Sequence, residues 1–243
     1  MSFTTDGVVI KITKTGESDR LLYILSRGRG VIKAFAKSAN RPKNKLHSST
    51  NLFCYSNFTF YEGKTALKVT ESEVKETFFG LTEDLKNLAL AQYFSDLAVS
   101  MIPESVETDD ILRLHLNSLY FLSKKLKKPE TVKPVYEMRL MSDIGYMPGL
   151  VACAKCGKFE TPVMNFDPLT GILLCSDCAD NHSLDLPLNV ISAMRQICYA
   201  DLNMIFSLKL SDENLSILNN TTEKYLLNRS EKNFRTLRFY NSL

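Results

Sequence analysis

Residues 153–178, CAKCGKFETPVMNFDPLTGILLCSDC, contain two C-x2-C pairs separated by eighteen residues. In each pair the two intervening residues let the backbone fold back, so that both thiolates point at one ion about 2.3 Å away. Two such knuckles fill every position of a tetrahedral site. Cys153, Cys156, Cys175 and Cys178 are therefore predicted to bind one structural Zn²⁺. No position stays open for the water of a catalytic zinc, which argues against hydrolytic chemistry at the metal.

The rest of the composition favours this metal site over disulfides. The chain has six cysteines in 243 residues, and its N-terminus, MSFTTDG, lacks the basic and apolar segments of a signal peptide. No stretch approaches the ~18 consecutive apolar residues of a membrane span. We therefore expect a cytoplasmic protein with no membrane partner, in which thiols stay reduced. Two disulfides or four unrelated thiols are the alternative.

Toward the N-terminus, the first eighty residues predict strands. Five runs rich in β-branched and aromatic residues lie between turn-forming residues, at 7–13, 20–25, 31–36, 52–61 and 66–70. The first run places Val8, Ile10 and Ile12 on one face. Five strands in about seventy residues match an OB-type barrel. A sandwich fragment or an SH3-like barrel predicts the same pattern, so both stay open.

Beyond residue 80 the apolar spacing becomes helical. Residues three or four positions apart form apolar stripes at 90–101, 112–126, 132–144 and 190–198. The metal segment, rich in glycine and proline, interrupts these helices as a small metal-stapled module. The predicted domains are an OB-fold nucleic-acid-binding domain (1–80), a helical domain (81–149 and 183–243) and an inserted zinc-binding module (150–182). The predicted class is α+β: a five-stranded OB-type β-barrel, then an α-helical domain carrying a four-cysteine zinc ribbon.

Charge is distributed unevenly along the chain. Residues 1–80 carry 13 Lys/Arg and 7 Asp/Glu, although the net charge of the chain is only +3. From Arg20 to Tyr61, a stretch of 42 residues contains no acidic side chain. Such a stretch presents an uncompensated positive field that attracts polyanions. The predicted DNA-binding residues are its cations: Arg20, Arg27, Arg29, Lys33, Lys37, Arg41, Lys43 and Lys45. The alternative is an ordinary solvated surface.

Aromatic residues in the same region offer stacking faces for bases, as OB-type grooves do. Most of them are expected in the core, and Tyr55 and Tyr61 are the better candidates for the exposed side. Phosphate-binding loops, nucleophile elbows and zinc-protease motifs are absent from the sequence. We therefore expect a binding protein and not an enzyme. A zinc-stapled nucleic-acid-processing enzyme and a zinc-ribbon transcription or ribosome accessory protein are the rival hypotheses.

Five short motifs follow one another along the chain. They are GVVIK at 7–11, GESDRLL at 16–22, GVIKAFAK at 30–37, MSDIGYMPGL at 141–150, and FDP at 166–168 with Gly171. The fourth leads directly into the first cysteine pair, and the fifth precedes the second pair. In this order and spacing the motifs resemble the bacterial recombination mediator RecO family, and the resemblance extends over most of the chain.

The resemblance implies an OB-fold, a helical domain and an inserted zinc ribbon, with activity in DNA repair and homologous recombination. It implies binding of single- and double-stranded DNA and annealing of complementary strands, in association with the nucleoid. It also implies cooperation with RecR in loading RecA onto strands coated by single-strand-binding protein.

The resemblance further implies a receptor for the acidic C-terminal tail of single-strand-binding protein. Such a tail ends in carboxylates and an apolar side chain, so its receptor needs cations beside a hydrophobic groove. The candidate cations lie near the C-terminus: Arg229, Lys232, Arg235 and Arg238, interleaved with Phe234, Phe239 and Tyr240. Alternatively, these aromatic residues pack the final helix and the cations are solvated.

Overall fold

A computed structural model describes residues 1–103 and 106–243. Its N-terminal strands are β1 (Ser2–Thr15), β2 (Asp19–Ser26), β3 (Val31–Ala36), β4 (Cys54–Glu62) and β5 (Leu67–Thr77). They form a closed barrel in the order β1-β2-β3-β5-β4. All pairs are antiparallel except β3 with β5, and β1 closes the barrel against β4. The predicted OB-type barrel is confirmed, and the closed barrel excludes the sandwich alternative.

The barrel interior is built from alternate residues of each strand. Its core cluster includes Val9, Ile24 and Phe58, each fully buried, and Ile12 packs against it. The pairing of β1 with β2 shifts register between Val9 and Lys11, which is the signature of a β-bulge. The prediction that Val8, Ile10 and Ile12 share one face is therefore wrong, because the bulge reverses the alternation at Ile10.

The fourth strand begins later than its sequence pattern predicts. Phe53 has a φ of 61°, a left-handed conformation that a regular strand does not contain. β4 consequently starts at Cys54, and Leu52 stays outside it with 36% of its surface exposed. A loop of successive turns over residues 37–53 connects β3 to β4.

The chain divides into two compact units, and the first comprises Met1–Leu126 and Phe234–Leu243. Besides the barrel, this unit contains a 3-10 turn (Phe79–Glu83) and three helices. The helices are α1 (Leu85–Met101), α2 (Asp109–Ser123) and α6 (Arg235–Asn241). The carboxylate of Asp84 caps α1 by accepting a hydrogen bond from the Asn87 backbone N–H, at 2.9 Å. Burial lowers the pKa of His115 on α2 to about 3, so this residue is a neutral core histidine.

The second unit spans Lys127–Asn233. It contains α3 (Pro129–Asp143), α4 (Leu188–Tyr199) and α5 (Asp212–Ser230), with β6 (Val163–Asp167), β7 (Ile172–Cys175) and β8 (Leu184–Pro187) between α3 and α4. The three strands form a sheet in the order β7-β6-β8. The predicted domain boundaries, with a zinc module ending at residue 182, stay a prediction. Within the described ranges no helix is long and apolar enough to cross a membrane.

Candidate metal centre and nucleic-acid surface

The four sulfurs of Cys153, Cys156, Cys175 and Cys178 lie within 4.8 Å of one another. The Sγ atoms of Cys156 and Cys175 are 3.6 Å apart. A tetrahedral ion with metal–sulfur bonds of about 2.3 Å separates its sulfur ligands by about 3.8 Å. All six cysteines of the chain lie in the described residues and are free thiols. The donor set therefore fits a single metal ion, and the disulfide alternative is not supported.

Tight backbone turns hold each cysteine pair in position. In the first knuckle the Gly157 N–H donates to the carbonyl oxygen of Cys153, and the Cys153 N–H donates to that of Lys158, both at 2.9 Å. Gly157 adopts a φ of 74°, which favours glycine. In the second knuckle β7 ends at Cys175, and the Cys178 N–H donates to the Cys175 carbonyl oxygen at 2.9 Å. The turns that the two-residue spacing allows thus bring the sulfurs of each pair together.

The thiols perturb one another because they are crowded together. Burial raises the pKa of Cys153, but backbone hydrogen bonds from Cys175, Cys156 and Lys155 outweigh it and lower that pKa to about 6. Hydrogen bonds to the neighbouring Cys175 and Cys156 sulfurs raise the pKa of Cys178 to about 12. Several thiolates can coexist at this distance only if a cation neutralises them. The four cysteines could therefore hold a metal ion.

Side chains of α4 and α5 fasten this module within the second unit. Arg195 on α4 donates through Nε to the carbonyl oxygen of Leu150 at 2.8 Å. Arg229 on α5 donates to the Thr170 carbonyl oxygen. Gly171 in the β6–β7 turn has a φ of 76°, and a Cβ there would lie 2.7 Å from the ring of Tyr225. Glycine is required at this position both for its backbone conformation and for the close approach of α5.

The cations predicted to bind DNA all lie in the first unit. Seven of them are exposed: Arg27, Arg29, Lys33, Lys37, Arg41, Lys43 and Lys45. Among the described residues only Arg27 of these seven has an acidic partner, Asp6, at 3.8 Å. A hydrogen bond to Tyr55, together with the Asp6 carboxylate, raises the pKa of Arg27. The other six cations present their charge to solvent.

Arg20 differs from the other predicted cations because it is only 7% exposed. Its Nε donates to Asn40 Oδ1 at 2.8 Å, and its Nη1 donates to Thr50 Oγ1 at 2.8 Å. Both acceptors belong to the loop over residues 37–53. The guanidinium thus connects this loop to β2 and has little surface left for a phosphate.

Two basic grooves lie on the barrel. One, of about 660 Å³, is lined by Lys37, Lys43 and Lys45 together with Val69 and Glu71. The other, of about 710 Å³, is called the Tyr23 groove here and is lined by Phe3, Lys11, Tyr23, Arg29 and Lys33, with Glu62 and apolar residues. Five of the six exposed cations without an acidic partner line these two grooves, and Arg41 lines neither of them.

Lys11 and Tyr23 are potential binding residues that the sequence pattern did not reveal. Lys11 pairs with Tyr23, and Tyr23 pairs with Lys33, so the three side chains form a row across β1, β2 and β3. The position of Lys11 beside Tyr23 depends on the bulge, which the sequence does not show. Of the tyrosines predicted to be exposed, Tyr61 is 51% exposed. Tyr55 is half-buried, with the Lys75 Nζ 5.7 Å from its ring centroid.

The predicted partner-binding cations are divided between the two units. Arg229 and Lys232 belong to the second unit, whereas Arg235 and Arg238 are exposed on α6 in the first unit. The ring of Phe234 meets that of Tyr93 edge-on at 6.0 Å, and Leu237 and Tyr240 are also buried. Phe239 is 47% exposed. Packing of the final helix thus uses two of the three aromatic residues and leaves Phe239 beside Arg235 and Arg238.

Fold and site together define a two-unit protein, in which an OB-type barrel with exposed cations is combined with a helical unit carrying a four-cysteine metal module. Models of the N-terminal and C-terminal regions of recombination protein O match residues 1–78 and 82–238. The chain belongs to the RecO family of DNA repair proteins.

Relatives with the same name match almost the entire chain. A protein of Acetivibrio thermocellus named DNA repair protein RecO is 36% identical over 241 residues, covering 98% of this chain and 96% of the relative. Proteins of the same name from Alkaliphilus metalliredigens and Symbiobacterium thermophilum are 30% and 28% identical, and each match covers at least 97% of both chains.

Proposed function

We propose that this protein is a non-catalytic mediator of recombinational DNA repair, which binds single- and double-stranded DNA through its barrel and anneals complementary strands. The observation that carries the proposal is the set of six exposed cations that have no acidic partner among the described residues. Membership of the RecO family makes DNA the polyanion that these cations attract. Binding through phosphates leaves base edges available for pairing.

Strand annealing follows from the same electrostatics. Two DNA strands repel each other through their phosphates, and a cationic surface that holds both lowers this repulsion. Pairing can then nucleate without bond chemistry or nucleotide hydrolysis. Sequence preference should be slight, because phosphate contacts carry no sequence information.

The ion at the four cysteines is proposed to be Zn²⁺. Four thiolates in a tetrahedral arrangement suit this metal, whose affinity for sulfur ligands is high. With all four coordination positions taken by cysteine, the ion would stabilise the module. It would have no open coordination position for catalysis. This donor set supports a non-catalytic role for the protein.

Partners of the RecO family are also proposed for this chain: RecR, single-strand-binding protein and, indirectly, RecA at the nucleoid. Arg235, Arg238 and Phe239 on α6 offer cations beside an exposed aromatic ring, which suits a tail of carboxylates and an apolar residue. Arg229 is less suited because it already binds the Thr170 carbonyl oxygen. Lys232 stays a candidate in the second unit.

Paired charge reversals separate DNA binding from tail binding. The double variant Arg41→Glu/Lys43→Glu should weaken binding of every DNA sequence alike and reduce annealing of complementary oligonucleotides mixed without ATP. Wild-type affinity should fall about two to three decades between 50 and 200 mM salt if about five phosphates are contacted, and the variant should show a shallower slope.

The matched control is Arg235→Glu/Arg238→Glu, which makes the same change in net charge on α6. It should retain DNA affinity and lose affinity for an acidic tail peptide, measured by fluorescence anisotropy. Unchanged DNA affinity in the Arg41/Lys43 variant would contradict the proposal that DNA binds to the cations of the barrel. Loss of both activities in the α6 variant would contradict a separate tail site.

A further inference from the structure

A bulge in β1 decides which side chain lies beside Tyr23. Val9 pairs with Ile24, and the next pair is Lys11 with Tyr23, so Ile10 is the extra residue. In a regular register Ile10 would stand opposite Tyr23, and Lys11 would turn toward the barrel interior. The bulge therefore replaces an apolar neighbour of Tyr23 with a cation. Bulges of this kind are often found where a binding side chain must be re-aimed.

Tyr23 consequently has a lysine on each neighbouring strand. The Nζ atoms of Lys11 and Lys33 lie 5.2 and 5.5 Å from the centroid of its ring. Neither lysine forms an ion pair within the described part of the chain. A partly exposed ring between two such cations offers what one nucleotide requires, namely a face for the base and positive charge for the phosphates on either side.

The rest of the Tyr23 groove suits an unpaired strand. The guanidinium of Arg29 lies 4.2 Å from the centroid of the Phe3 ring, which fixes a third cation at the edge of the groove. Glu62 is the acidic residue that lines it, so positive charge predominates. Elsewhere on the barrel, Lys75 lies over the ring of Tyr55, but there Asp6 binds both Lys75 and Arg27, so the positive charge is partly neutralised.

We infer that the Tyr23 groove is a base-stacking subsite for single-stranded DNA, with Tyr23 as the stacking ring and Lys11 and Lys33 as phosphate partners. The inference rests on the proposed DNA-binding function and specifies which form of DNA this site selects. Bases of a duplex are stacked on each other and cannot reach the ring. An incoming unpaired base displaces a lysine from the ring face, because base–aromatic stacking outweighs an exposed cation–π contact. The displaced ammonium then meets the adjacent phosphate.

The test compares Tyr23→Leu, Tyr23→Phe and a matched control, Tyr199→Leu, which removes a tyrosine of α4 that is 49% exposed and belongs to the second unit. The probes are a single-stranded oligonucleotide containing 2-aminopurine, the same strand in duplex form, and a strand with abasic positions. Tyr23→Leu should bind the single strand about tenfold more weakly and bind the duplex within about twofold of the wild-type protein. It should also lose the fluorescence quenching that stacking causes. Tyr23→Phe and Tyr199→Leu should match the wild-type protein.

The abasic strand gives an independent check. The wild-type protein should bind the abasic strand as weakly as Tyr23→Leu binds the normal strand. Tyr23→Leu should bind the abasic and the normal strand with equal affinity. Equal single-strand affinity in Tyr23→Leu and wild type overturns the inference, and so does an equal loss on single strand and duplex. If the wild-type protein binds neither form of DNA, the proposed function itself fails; if it binds both and only the Tyr23 effect is missing, the proposed function stands.

Discussion

The guanidinium of Arg20 organises the loop over residues 37–53. Besides the side chains of Asn40 and Thr50, its Nη1 donates to Asn51 Oδ1 at 3.1 Å and to the His47 carbonyl oxygen at 3.2 Å. Lys43 and Lys45 lie on the same loop and are exposed. A buried arginine thus holds the segment that carries two of the cations proposed to bind DNA, so we expect any effect of Arg20 on DNA binding to be indirect.

Replacement of Arg20 should therefore reduce stability. Arg20→Met leaves one buried acceptor, Thr50 Oγ1, and three partly buried acceptors without their donor. Hydrogen bonds to charged groups contribute about 1.5–3 kcal/mol each, so we expect a loss of about 2–4 kcal/mol. Arg20→Lys should recover only part of it, because an ammonium cannot reproduce the planar fork of a guanidinium. Urea unfolding followed by circular dichroism measures the change, with the exposed Lys43→Met as control. If Arg20→Met instead unfolds like the wild-type protein but loses DNA affinity, Arg20 contacts DNA directly.

At this scale the sequence predicts residue types better than their positions. The two C-x2-C pairs encode their own geometry, because each ligand pair is only three residues apart, and the four sulfurs converge as expected. The burial of Arg20 could not be foreseen, because its acceptors lie 20 to 31 residues away in a loop without a periodic pattern. The position of Lys11 depends on a bulge, which changes pairing and leaves no mark in composition.

Among the elements, α5 is a helix that the apolar stripes in the sequence do not predict. Its buried face consists of Leu218, Thr221, Thr222, Tyr225 and Leu226, at regular helical spacing. Two of these five are polar, so the apolar stripe is interrupted. Thr222 is tolerated in the core because its hydroxyl donates to Glu137 Oε2 on α3, at 2.7 Å. The first four helices of the chain, by contrast, have the apolar spacing that predicted them.

A buried ion cluster joins α3 to α5. The Nζ of Lys133 lies 2.9 Å from carboxylate oxygens of both Glu137 and Glu223. The Lys133 and Glu137 side chains are 3% and 0% exposed. Burial lowers the pKa of Lys133, but the two carboxylates outweigh it and raise that pKa. The charges of the cluster therefore depend on one another.

Replacing only the cation of this cluster should lower the free energy of unfolding more than replacing the cation together with its buried carboxylate. Lys133→Met leaves Glu137 buried without its cation and should lower the free energy of unfolding by about 3–5 kcal/mol. The double variant Lys133→Met/Glu137→Leu should be markedly more stable than the sum of its single variants, since no buried charge is left unpaired. Lys224→Met, an exposed change on α5, is the control for lost positive charge. Simple additivity in urea unfolding would contradict the coupling.

For the molecule as a whole, the division into two units is the feature that local patterns do not reveal. The helix α6 lies close in sequence to α5, yet it groups with the barrel unit. Its Thr236 donates to Asp96 on α1 at 2.9 Å, across 140 residues of sequence. Long-range contacts of this kind depend on how complete helices pack, and periodicity within a single segment holds no information about them.

The same division makes metal binding and DNA binding separable. The four cysteines belong to the second unit, and the cations proposed to bind DNA belong to the first. Cys175→Ser should release the metal and increase hydrogen exchange across residues 150–187, because metal binding of about 10 kcal/mol or more holds such modules folded. DNA affinity should stay within about twofold of wild type if the seven exposed cations of the barrel carry binding.

Three measurements on the same preparations check this expectation: metal content by elemental analysis, local hydrogen exchange by mass spectrometry, and DNA affinity by anisotropy. Ser176→Ala, which alters the same knuckle without removing a ligand, should behave as the wild-type protein in all three. A wild-type protein with well under one equivalent of metal would contradict the proposed metal site. A metal-free Cys175→Ser protein that loses DNA affinity while exchange across residues 1–77 stays unchanged would move DNA contacts into the second unit, because the barrel would then be intact and insufficient.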